Sequence, residues 1–190
     1  MSSEIMSLEM DVFCLLLLIR ILYQMYINRE QNDHWNYFYH TISWACVYLF
    51  MDAIWIMNVK HFLTFSKIQS GIFNSFYFCS LAMLVCSWYV YAQKTLHSAV
   101  LKDKKILVLT FIPLIFFIGS SLLSYWTHGL FVIDQAGNYH RSKLLPFYFL
   151  ILFAYILYLS IKAGYLSKKA KNYLYQKEYK VIARFSFLPF

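Results

Sequence analysis

Long apolar runs separated by short polar breaks set the pattern of this chain. Four runs, roughly 35–57, 68–93, 106–127 and 144–166, are nearly free of charge. Each comes close to the roughly 20 residues that a helix needs to cross a bilayer. A fifth run, roughly 11–27, is shorter and carries Arg20 and Gln24. Glu4, Glu9 and Asp11 stand before it, where a signal peptide would be basic, and no small-residue cleavage site follows. It therefore reads as a first membrane helix. After the fifth span comes a basic segment, 167–180, and then a new apolar run, 181–190, which reads as the start of a cut-off sixth span.

The break between the last two full spans differs from the others. In "LFVIDQAGNYHRSK", residues 130–143, Leu130–Ile133 suits a short strand, and Gly137 and Asn138 tolerate positive φ. Tyr139–Arg141 can then return as a second strand. The predicted fold class is an all-α integral membrane protein in one domain, 1–190. It is a bundle of about five transmembrane helices with a short β-hairpin loop.

Composition supports the lipid reading. The chain is 61% hydrophobic and 21% aromatic, with 14% charged residues, more apolar surface than one soluble core of this length could hide. The net charge of +8 follows from topology. Arg29, Lys94, Lys102, Lys104, Lys105, Lys168, Lys169, Lys171, Lys177 and Lys180 fall on one side, against Lys60, Lys67, Arg141 and Lys143 on the other. The positive-inside rule puts the richer side in the cytoplasm. The expected location is the plasma membrane, with the N-terminus and the 128–143 loop outside. Lysines interleaved with Tyr173, Tyr175 and Tyr179 have the look of an RNA-binding patch. Directly after a span, they read instead as a segment drawn to anionic head groups, and nucleic acid is not expected as a partner. Trp35, Trp55, Trp88 and Trp126 near span ends form an interfacial belt.

Candidate chemistry is sparse. Asp52 lies deep in the second span, where an ionisable group costs about 2.5–3.5 kcal/mol. It should face the bundle interior with a partner, and Arg20 is a candidate. Asp134, Tyr139, His140 and Arg141 gather in the outward loop, where they can meet an external ligand or one another. Asn58, Asn74, Gln69, Ser120, Ser121 and Ser124 suit helix–helix contacts, and Gly119 and Gly164 suit close approach. Pro113 is expected to kink the fourth span. Cys14, Cys46, Cys79 and Cys86 read as apolar packing residues, not disulfides. No nucleotide-binding, zinc or nucleophile motif occurs, so no cofactor or metal is called for and no enzyme is expected.

Several features together resemble the N-terminal membrane module of bacterial signalling proteins that carry a GGDEF-type diguanylate cyclase or histidine-kinase domain. They are Asp52 followed by Trp55, then Trp88 with Tyr89 and Tyr91, Pro113 opening the fourth span, and Phe131–Asp134 with Tyr139, His140 and Arg141. Ser142 stands where that pattern usually has glycine. The resemblance implies a multi-pass sensor that couples an external or intramembrane stimulus to an output domain absent from this chain, with a truncated fragment as the consequence. Its partners would be the bilayer and a small ligand, with a homodimer as an option. The alternatives are a small transporter component or a membrane assembly subunit.

The topology is directly checkable. A cysteine placed at Gln135 is expected to react with a membrane-impermeant maleimide on intact cells, and one at Lys171 only after lysis. The reverse pattern would invert the bundle.

Overall fold

A computed structural model of the chain describes residues 3–28, 33–59, 62–101, 103–135 and 137–185. Arg29, Lys60 and Lys102 of the charge count lie outside the described residues, as does 186–190 of the last apolar run. Six α-helices occur among the described residues: α1 (Ser3–Ile27), α2 (Asp33–Val59), α3 (Lys67–Thr95), α4 (Lys104–Thr127), α5 (Leu145–Lys169) and α6 (Tyr173–Phe185). The first five are long and apolar enough to span a membrane. Between α4 and α5 stands an antiparallel hairpin, β1 (Phe131–Ile133) and β2 (Tyr139–Arg141), with Val132 opposite His140.

Helix ends are set by local chemistry. Ser66 and Gln69 form a reciprocal capping box at the start of α3: Ser66 N donates to Gln69 Oε1 at 2.9 Å, and Gln69 N to Ser66 Oγ at 3.4 Å. Asp103 caps α4 by accepting from Lys105 N at 2.9 Å. His128 ends α4 in the left-handed conformation, φ +56°. Tyr155 donates to the Thr110 carbonyl in the turn before Pro113, tying α5 to α4.

α3 is the central element. It is buried around much of its circumference, and α2, α4, α5, β1 and α6 all pack against it. α1 lies against α2, and α6 against α5. The outer faces carry Leu16, Leu109, Ile115, Phe147 and Ile161, all exposed, which suits a lipid solvent.

Two buried clusters divide the bundle along its length. One, at the hairpin end, joins Phe78, Leu81 and Val85 of α3 to Leu114 and Phe117 of α4, Leu130 and Phe131 of the hairpin, and Leu152 of α5. The other, at the opposite, basic end, joins Tyr89 and Ala92 to Leu159, Ala163, Tyr179 and Ile182. α6 doubles back along α5, with Ser160 Oγ donating to the Ala183 carbonyl at 2.8 Å. One helix thus runs through the boundary at 180/181 between the basic segment and the last apolar run.

The close-approach glycine differs from expectation. Nothing lies within 4 Å of a Cβ built on Gly119 or Gly164, whereas one on Gly71 would meet the Tyr125 ring at 2.2 Å. Gly71 is what lets α3 and α4 approach. Gly137 has φ +87°, and a Cβ there would stand 2.7 Å from the Phe65 carbonyl oxygen. The hairpin tip therefore rests on the loop between α2 and α3.

Gly137→Ala should cost about 1–3 kcal/mol through its backbone conformation alone, with the collision added. Thermal unfolding in lipid nanodiscs is expected to show a lowered midpoint. Gly119→Ala, with open space around it and a better helix former in place, should leave the midpoint unchanged or raised.

Candidate functional site

The hairpin is built into the bundle and does not hang from it. Leu130 N and Phe131 N both donate to Ser124 Oγ, at 2.8 and 3.1 Å. Phe131 is fully buried and stacks on Phe78 with ring centroids 6.0 Å apart. This seats β1 on α3 and α4 and leaves β2 on the open side. Tyr139 meets Trp55 of α2 edge to face at 6.0 Å. Burial pushes the Tyr139 phenol above its ordinary pKa, opposed by the Arg141 guanidinium, so Tyr139 stays a neutral hydroxyl at physiological pH.

Between β2 and the helices opens a cleft of about 520 Å³. Trp55, Asn74, Tyr77, Tyr139, Arg141 and Phe149 are among its lining residues, drawn from α2, α3, β2 and α5. Its volume falls in the range of small-molecule sites.

The five residues singled out from the sequence divide into three groups. Tyr139 and Arg141 line the cleft. Asp134 and His140 pair with each other, His140 Nε2 lying 3.2 Å from Asp134 Oδ2. Asp134 also accepts from Asn138 N at 2.8 Å and Asn138 Nδ2 at 3.0 Å, closing the turn between the strands. Asp52 stands apart from the hairpin and faces Asp11 of α1.

Arg20, the partner expected for Asp52, is exposed on α1. Asp11 is nine residues earlier and about 13 Å along the helix. The physical reason is depth. Asp11 and Asp52 lie five and six residues in from the ends of their spans, Met6 and Asn58, in neighbouring helices. Counting inward from the span edges would have revealed that match, but Asp11 reads in sequence as a flank of the apolar run. Asp52 also acts on Tyr77, whose hydroxyl lies 3.3 Å from that of Tyr48. Since Tyr77 lines the cleft, the acid pair connects to it through one side chain.

Sequence reasoning also gave no role to Lys162 of α5. Its Nζ donates to Gln93 Oε1 at 2.7 Å and Ser98 Oγ at 2.6 Å and lies over the Tyr158 ring at 5.6 Å. A lysine seven residues inside a span reaches polar partners toward the basic end. No group of His, Cys, Asp and Glu among the described residues could hold a metal ion.

Asp134→Ala should remove the side-chain acceptors of the turn, cost about 1–3 kcal/mol and speed amide exchange at Asn138. Arg141→Ala, at an exposed position, should stay within about 0.5 kcal/mol of the parent. Equal effects on unfolding would contradict the division of labour drawn here. No family model, no curated protein and no solved structure matches this chain.

Proposed function

We propose that the chain is a membrane-embedded sensory module that receives a small ligand in the cleft beside the hairpin. The observation that carries this reading is the convergence of α2, α3, β2 and α5 on one cleft that touches, through Tyr77, the Asp11–Asp52 pair. A ligand seated there contacts helices on both sides of α3. By binding one arrangement of α2 on α3 better than another, it shifts the population between them. α5 begins at the cleft and carries Lys162, which grips Gln93 and Ser98, two turns before its end, and α6 folds back along it. That gives the shift a physical route to the basic segment. The sequence resemblance to modules ahead of diguanylate cyclase domains suggests the kind of output, with the hairpin outside and the basic segment in the cytoplasm.

A transporter component is the second reading. It is favoured by the facing carboxyls at one depth, a device for holding a proton inside a membrane.

With the chain fused to a diguanylate cyclase reporter, Asp52→Asn and Tyr77→Phe are each expected to change output about fivefold or more at equal membrane abundance. Output that follows abundance alone would sink the sensory reading. Proton-driven uptake into vesicles that is lost in Asp11→Asn would put transport in its place.

A further inference from the structure

Two polar groups of the cleft are left over by the fold itself. Asn74 is 1% exposed, and its Nδ2 donates to the Ser70 carbonyl at 2.8 Å. That bond fixes the amide's orientation, because a flipped amide would set oxygen against oxygen. Asn74 Oδ1 then has no hydrogen-bond partner, an unfavourable state that a donor would relieve. Arg141 lies along the same cleft and is exposed, with no acid paired to it among the described residues. The acid on its own hairpin, Asp134, is turned to Asn138 and His140. Aromatic surface from Trp55, Tyr77, Phe78 and Phe149 completes the lining.

We propose that this cleft takes a small ligand that joins an anionic group and a hydrogen-bond donor to an apolar body, its anionic oxygens on Arg141 and its donor on Asn74 Oδ1. The inference deepens the sensory reading and rests on it only for the choice of site. Arginine matches carboxylate and phosphate through its forked donors. The buried amide oxygen rejects a ligand that lacks a donor, and the rings cover the apolar part. Two sources supply this chemistry. A free apolar α-amino acid has carboxylate, ammonium and side chain in one molecule. Phosphatidylglycerol offers phosphate oxygens, glycerol hydroxyls and acyl chains.

The test uses the full chain in nanodiscs of phosphatidylcholine, whose head group has no donor. Binding of L-phenylalanine and L-leucine is measured by equilibrium dialysis, beside phenethylamine, which lacks the carboxylate, and 3-phenylpropionate, which lacks the ammonium. In a parallel arm, phosphatidylglycerol is doped into the bilayer and its retention followed by native mass spectrometry. The expected result is a preference of about tenfold or more for the molecule carrying both groups. Arg141→Gln should abolish the preference over phenethylamine, and Asn74→Leu that over 3-phenylpropionate. Dependence on both residues in the first arm assigns a water-borne ligand, and in the second a bilayer lipid. If neither arm shows binding that depends on Arg141, the proposal is overturned. Arg141→Gln is an exposed change, so misfolding does not cloud that outcome. A spin-label distance between Lys105 and Lys177 separates the two readings. Binding without movement keeps the ligand class and removes the sensor. Movement under another stimulus, without binding here, does the opposite.

Discussion

The Ser124 hydroxyl, taking the backbone N–H groups of Leu130 and Phe131 together, is the contact on which the hairpin end of the molecule depends. A loop that turns back onto a helical bundle buries backbone donors, and each of them must find an acceptor. One buried serine meets two of them, and in doing so turns the chain inward rather than away from the bundle. Phe131 is thereby delivered onto Phe78, Leu130 into the core beside it, and β2 is left to roof the space above α2, α3 and α5. The cleft is a consequence of that docking. With a mobile hairpin there would be no shared wall between Arg141 and Asn74.

α3 is the wall that everything else uses. At one end it presents Asn74 and Tyr77 to the cleft, and at the other Gln93 to Lys162. Two apolar clusters lie along it, bridged by Phe111 and Tyr155, so its two ends are joined by shared packing as well as by the helix itself. Among the described residues, few polar contacts join α2 to α3. The Tyr48–Tyr77 hydroxyl pair is a long bond at 3.3 Å, and the acids beyond it set like groups face to face. Such an interface is held by packing more than by matched polar partners, which is the condition under which a modest ligand contribution can shift it.

Much of the architecture was legible from the chain. The five apolar runs became five helices because a lipid-facing helix needs only length and hydrophobicity, both local properties. The hairpin was legible because Gly137 and Asn138 lie between residues suited to strands, and turn chemistry is local as well. Where the reading went astray, the quantity was relational. Gly119 and Gly164 look like packing glycines, but only the rotation of a helix decides whether a glycine meets a neighbour, and it is Gly71 that meets Tyr125. Asp11 looked like a flanking acid until α1 and α2 were set side by side. Lys162 drew no role from the sequence, and its long side chain meets Gln93 and Ser98 only because α5 packs on α3.

The sequence by itself determined the number of long apolar helices, each fit by length and composition to cross a membrane, and the place of the hairpin, since each follows from composition and short-range periodicity. Tertiary structure alone decided which polar groups meet. It set Asp52 against Asp11 and not Arg20, and it brought Arg141 and the buried Asn74 to the lining of one cleft. Those pairings depend on helix rotation and depth, which no single run of residues encodes.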